Sequence, residues 1–228
     1  MSLILGIDDA GRGPLIGPMV LAGVLMKKED ETFLKKQGVN DSKQLSQIVR
    51  VRLAEVIRNT VVDDEVVISQ PEEIDKAIKD KVNLNTLEAM KVAEIINSLV
   101  EGRKESIKVI VDCPSTNISA WRKTLISFIK NSSHLDVVCE HKADVNHVSV
   151  SAASILAKVR REEEVEKLKS KFKEYGDLGS GYPSDPVTKD FLNKNGKELK
   201  DSGIFRKSWA TWKSLFPESK QQKTLGDY

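Results

Sequence analysis

Apolar residues occur along this chain in short runs separated by charged or glycine-rich stretches. Leu3 to Ile7 and Met19 to Met26 are rich in Ile, Leu and Val and are bounded by Gly and Pro. Runs of this length and composition predict two strands of a buried hairpin rather than one helix. A polar turn region holding Asp8, Asp9, Gly11, Arg12, Gly13 and Pro14 lies between them. From Leu45 the period changes. Leu45, Ile48, Val49, Leu53, Val56 and Ile57 recur at the spacing of a helix with one buried face. Val66 to Ser69 predicts a further strand, and Pro71-Glu72-Glu73 the proline and acidic first turn of a short helix. Asn85 and Glu88, at capping spacing, predict the start of a helix reaching about Val100.

The second half repeats the theme. Ile107 to Val111 is an apolar pentad ending at Asp112, as Leu3 to Ile7 ends at Asp8. A helix through about Ile129 and a strand from Leu135 to Val138 follow, then His141-Lys142-Ala143-Asp144. Val148 to Phe172 predicts a long helix, small-residued from Ser149 to Ser154 and heavily charged from Arg160 onward. A glycine- and proline-rich loop from Tyr175 to Pro186 places Tyr182 between Gly181 and Pro183, and a last helix spans about Ser208 to Phe216. Strands alternating with helices indicate an α/β sheet with crossover connections, whose ligand sites gather where strands end.

Composition narrows the partners. The chain of 228 residues can bury a sizeable core, but 36 Lys+Arg against 34 Asp+Glu leaves no global charge to attract a polyanion. A local basic patch must do that. The chain has only two cysteines, Cys113 and Cys139, and no apolar run near the ~20 residues needed to cross a bilayer. The N-terminus lacks the features of a signal peptide, so a cytoplasmic protein of a reducing compartment, with no membrane contact, is expected.

The chemistry-bearing residues are carboxylates at strand ends. Two unit charges ~4 Å apart repel by about 4 kcal/mol at an effective dielectric of 20, so several aspartates on one sheet edge cannot all stay ionised unaided. Divalent cations with oxygen ligands resolve the conflict. A phosphate-loop reading of GRGPLIGP fails, because the Lys-Ser/Thr and the following helix are missing. A zinc site from Cys113, Cys139, His141 and His147 matches no common ligand spacing, and buried free thiols are the expectation.

The segments GIDDAGRGPLIGPMV (6–20), DSKQL (41–45), Asp112, HKAD (141–144), VSAASILAKV (150–159), GSGYPSDP (179–186) and RKSW (206–209) together resemble the type 2 ribonucleases H, or ribonuclease HII, and most of all the archaeal branch. The likeness runs from residue 3 to about 213. It implies an α/β fold with a ribonuclease H-like mixed β-sheet flanked by helices: a catalytic domain over 1–190, a helical C-terminal region over 191–216 and a mobile tail over 217–228. It also implies a monomeric endonuclease that cuts the RNA strand of RNA–DNA hybrids and cuts at ribonucleotides embedded in duplex DNA. By the family's pattern the products carry a 3′-hydroxyl and a 5′-phosphate.

Carried over by position, the four metal-binding and catalytic acids fall on Asp8, Asp9, Asp112 and Asp144, around two Mg²⁺ or Mn²⁺ ions. The family's glycine-arginine-glycine motif falls on Gly11, Arg12 and Gly13 and its substrate-sensing tyrosine on Tyr182. Gly11, Gly13 and Tyr182 are expected to bind substrate at the sugar, and Arg12, Lys43, Lys142 and Lys158, near the acids on this mapping, at phosphates. Selectivity for RNA must rest on the 2′-hydroxyl. Position 9 is Asp where the family usually has Glu, which shortens the carboxylate's reach and is expected to shift metal preference towards Mn²⁺. That departure is the one argument for the alternative, a non-catalytic nucleic-acid binding module on the same fold. Trp209 and Trp212 are expected to pack against the body. In the tail, Gln222, Leu225 and Tyr228 resemble the clamp-interaction peptide of replication and repair enzymes, with a sliding clamp as the implied partner.

Overall fold

The computed structural model describes residues 2–39 and 45–217. Strands β1 (Leu3–Ala10), β2 (Met19–Lys27), β3 (Asp63–Ser69), β4 (Ile107–Asp112) and β5 (Leu135–Glu140) form one sheet in the order β3-β2-β1-β4-β5. β1, β2 and β3 pair antiparallel, whereas β4 and β5 run parallel to β1 on its other side, so the sheet is mixed, as expected. Its helices are α1 (Asp30–Gln37), α2 (Gln47–Thr60), α3 (Pro71–Lys79), α4 (Leu84–Leu99), α5 (Ile118–Phe128), α6 (Ala143–Asn146), α7 (Val148–Lys171), α8 (Pro186–Asn195) and α9 (Ala210–Leu215).

Side chains on a strand alternate between faces, and the core divides accordingly. Leu3, Leu5 and Ile7 of β1 pack with α4 and α5, through Val92, Ile96, Trp121 and Leu125. The opposite face, including Val20, Val24 and Met26 of β2, packs with α2 and α7. The small residues Ser149 to Ser154 are all buried, and they let α7 lie unusually close to the sheet. A Cβ on Gly6 would fall 2.2 Å from the carbonyl carbon of Ser149, so no side chain fits there. A third cluster joins Leu15 and Ile16 to Phe172, Phe191, Phe205 and Trp212, which fastens the C-terminal region to the segment after β1. Trp212 packs against Phe205 and Phe216 with tilted rings, at centroid distances of 4.8 and 4.5 Å.

Four local expectations are corrected. Asp8 and Asp9 lie within β1 rather than in the turn after it, because β2 pairs with the strand as far as Ala10. Ile48 is 84% exposed: capping by Ser46 starts α2 at Gln47, and the buried face falls on Leu53, Ala54 and Ile57. Asn85 does not cap α4; Asn83 does, accepting from the Thr86 amide at 3.0 Å, which frees Glu88 for another role. β5 continues two residues past Val138 to Glu140. Lys43 and the tail residues Gln222, Leu225 and Tyr228 lie outside the described residues. Among those described, no helix is long and apolar enough to cross a membrane.

Cys113 and Cys139 are both buried and free. His141 Nδ1 meets the Cys113 carbonyl at 3.0 Å and His147 Nε2 meets Glu140 at 2.9 Å. Burial, helped by the neighbouring Cys113, pushes the Cys139 thiol up to about 12, where almost no thiolate exists at neutral pH. Labelling with a thiol-specific disulfide reagent at pH 8 is therefore expected to leave Cys139 untouched until denaturant is added. Rapid reaction in the native state would contradict this burial.

Candidate active site

β1 and β4 are parallel neighbours in the register Ile7↔Val111, so Asp8 and Asp112 reach the same sheet edge. Asp8 is buried, and its Oδ1 accepts from the Asp9 amide at 2.7 Å. Asp112 Oδ1 accepts from the Ala143 amide at 2.8 Å and so anchors the start of α6, which carries the buried Asp144. An open cleft of about 410 Å³ is lined on one side by Asp8, Asp9 and Asp112. Gly11, Arg12, Gly13 and Tyr182 line it as well, together with Lys158 and Arg161 of α7. Eight of the residues singled out in the sequence thus share one hollow. Asp144 and Lys142 do not line it; Lys142 is exposed, with φ 58°, just before α6.

The carboxylates strain against one another. Burial, then the charge of Asp9 and that of Asp112, raises the Asp8 carboxyl well above the usual range, against an opposing hydrogen bond to Ser154. Burial, then Glu88 and Asp112, lifts Asp9 to about 7, while Arg12 and Lys158 oppose the rise. Among the described residues no group of three or more His, Cys, Asp or Glu side chains forms a finished cage for a metal ion. The aspartates are gathered rather than closed around a point.

The glycine-arginine-glycine segment is held from behind by Arg206, a fully buried residue that sequence reasoning placed only inside the RKSW block. Its Nε donates to the Gly17 carbonyl at 3.0 Å, its Nη1 to that of Arg12 at 2.8 Å and its Nη2 to that of Gly11 at 2.6 Å. Trp209 completes the support, donating from Nε1 to the Gly13 carbonyl at 3.1 Å, with the Arg206 guanidinium 5.0 Å from its ring. Gly11 has φ 82° and its Cα faces Arg161, so a side chain there would be strained and obstructed.

Tyr182 projects from a loop stitched to the same segment. The Gly181 carbonyl accepts from the Leu15 amide at 2.8 Å, and Arg161 stands 5.5 Å from the Tyr182 ring centroid. Asp185 ties the loop together: Oδ2 accepts from the Ser180 amide and hydroxyl, both at 2.7 Å, and Oδ1 from the Val187 amide at 2.9 Å. These bonds, those of Ser180 foremost, pull the Asp185 carboxyl down to about 2. A depressed carboxyl stabilises the fold above its unfolded pKa near 3.9, and the stabilisation is lost as pH falls through the folded value. Asp185→Ala is therefore expected to melt below the parent at pH 5 to 8, the gap closing as pH approaches about 2. Thermal melts of both proteins across that range check it; a gap independent of pH would assign the loss to something other than these bonds.

The chain matches the family model described as Ribonuclease HII over residues 5–212. It is 40% identical over 222 residues to a ribonuclease HII from Methanococcus maripaludis, covering 97% of this chain and 90% of that protein. Among solved structures it is similar to the ribonuclease H2 from Pyrococcus horikoshii OT3, with a TM-score of 0.81 and 36% identity, covering 93% and 96% of the two chains. A ribonuclease HII from Archaeoglobus fulgidus, solved as a complex with PCNA, matches with a TM-score of 0.78 and 40% identity over 99% of this chain and all of that one.

Proposed function

The chain belongs to the ribonuclease HII family, and on that premise we propose that this ribonuclease H endonuclease cuts the RNA strand of RNA–DNA hybrids, including at a single ribonucleotide embedded in duplex DNA. One observation carries the reading: three aspartates from β1 and β4 share a cleft with the glycine-arginine-glycine segment and Tyr182. The acids suit chemistry at a phosphodiester, and the glycines and tyrosine suit recognition of a sugar.

Asp8, Asp9 and Asp112, with Asp144 behind the Asp112 contact, are the residues we assign to holding two Mg²⁺ or Mn²⁺ ions. The donor set fits: it is all carboxylate, hard and desolvated, and its mutual repulsion is what a divalent cation relieves. When bound, such ions supply activation of the attacking water and neutralisation of the departing oxygen. The remaining work falls to the chain. Gly11 and Gly13 bring backbone polar groups close to the 2′-hydroxyl, with no Cβ in the way. Tyr182, exposed and backed by Arg161, meets the sugar with ring and hydroxyl. Arg12 and Lys158 hold phosphates in the cleft, and Lys142 and Lys43 are assigned further phosphate contacts; such contacts position a duplex without reading its sequence. Displacement of the 3′-oxygen from phosphorus by water leaves a 3′-hydroxyl and a 5′-phosphate.

The Archaeoglobus relative solved with PCNA supports a sliding clamp as partner, and Gln222, Leu225 and Tyr228 are the residues we assign to that contact. Incubating a labelled duplex containing one ribonucleotide with the protein in Mg²⁺, and separately in Mn²⁺, tests the main reading. Cutting 5′ to or at that nucleotide is expected, while all-DNA duplex stays whole. Retention of the duplex without cutting in either metal would select the binding module instead.

A further inference from the structure

We propose that Glu88 is a positioning residue for substrate binding that acts through Arg12. Asn85 and Glu88 lie three apart on α4 and so share a face. Glu88 Oε2 accepts from Arg12 Nε at 2.8 Å, and Asn85 Oδ1 accepts from Arg12 Nη2 at 2.6 Å. The platform is itself pinned, because Trp121 Nε1 of α5 donates to the Asn85 carbonyl at 2.9 Å. Two acceptors fixed on a helix therefore grip one edge of the guanidinium.

The placement is costly as a purely structural device. Glu88 is 2% exposed, stands near Asp8, Asp9 and Asp112, and adds negative charge to a site already crowded with it. A neutral glutamine would hold a helix to a loop with less repulsion. What the carboxylate supplies is a claim on Arg12. A long cation beside three aspartates and flanked by glycines would otherwise fold onto them and occupy the cleft. Held by Glu88 and Asn85, Arg12 stays 38% exposed at the cleft wall, with the rest of its five N–H donors available to an anionic oxygen. Glu88 is buried and does not line the open cleft, whereas Arg12 does, so Glu88 reaches substrate through Arg12 and not directly.

This inference rests on the reading of Arg12 as a substrate contact, and the experiment separates the two. Binding of a labelled RNA–DNA hybrid is measured by anisotropy without divalent ions, and KM and kcat with Mg²⁺, for Glu88→Ala, Glu88→Gln, Arg12→Ala and the Ala/Ala double variant. Glu88→Ala is expected to weaken binding and raise KM by about tenfold with kcat nearly unchanged. Glu88→Gln, which keeps an acceptor but not the charge that claims Arg12, should recover only part of that loss. The double variant should bind no worse than Arg12→Ala alone. Parental binding by Glu88→Ala, or losses that multiply in the double variant, overturns the role given to Glu88. Parental binding by Arg12→Ala overturns the reading of Arg12, and this inference with it.

Discussion

Asp8→Asn is expected to abolish cleavage while making the ion-free protein more stable at neutral pH. Both outcomes have one cause. In the fold the Asp8 carboxyl is buried against Asp9 and Asp112, so its ionised form is disfavoured, and Asp9 is lifted to about 7 by the same crowding with Glu88. An acid whose folded pKa is raised keeps a proton that the unfolded chain releases near 3.9. The stability it contributes is full below that pH and is lost as pH rises through the folded value, which for Asp9 is about 7. Denaturant titrations in chelator should therefore show the parent weakening from pH 4 to 8, with a flatter profile for Asp8→Asn. Adding Mg²⁺ should strengthen the parent and do much less for the variant. Removing a carboxylate that holds the activating ion should cost about 4 kcal/mol of transition-state stabilisation, on the order of a thousandfold in rate. Activity within tenfold of the parent would remove Asp8 from the chemistry.

Arg206→Ala is expected to destabilise the fold by about 3 to 5 kcal/mol and to blunt hybrid binding even where the protein remains folded. The guanidinium donates to three carbonyls of the segment between β1 and β2. Burial first, and then Arg161, lowers its pKa to about 9, so it is still a cation at neutral pH. Truncation removes those three hydrogen bonds and leaves Trp209 without its cationic partner at 5.0 Å. Arg206→Lys keeps the charge but cannot span Gly11, Arg12 and Gly17 with a planar fork, so it should fall between parent and Ala. Urea denaturation gives the stability change, and anisotropy below the unfolding transition gives binding. Equal midpoints for parent and Arg206→Ala would show that the segment holds its shape unaided.

The strands of the sheet were legible because each is a short apolar run, and the acidic edge because two such runs end in aspartate. The hidden part was long-range pairing. Glu88 sits at capping distance from Asn85, and only the fold reveals that Asn83 caps α4 while Glu88 turns to an arginine 76 positions earlier. Arg161 belongs to the charged half of α7, where periodicity suggests a solvated face, yet the helix carries it under Gly11 and beside Tyr182. Arg206 reads as one more surface cation until the packing of Phe205 and Trp212 on Leu15 and Ile16 buries it. Apolar runs stop at Ile7 and so hide the true end of β1, because pairing with β2 continues through Asp8 and Asp9, whose polarity reads as a turn.

The close seating of Ser149 against Gly6 has a mechanical consequence. β1 delivers the acids and α7 delivers Lys158 and Arg161, and with no gap at their seam neither can slide relative to the other. The anionic and cationic walls therefore behave as one jaw of fixed gape. The loop bearing Tyr182 is tied to the same body, by the Leu15 amide on the Gly181 carbonyl and internally by the grip of Asp185 on Ser180, so the sugar-facing tyrosine shares that fixed frame.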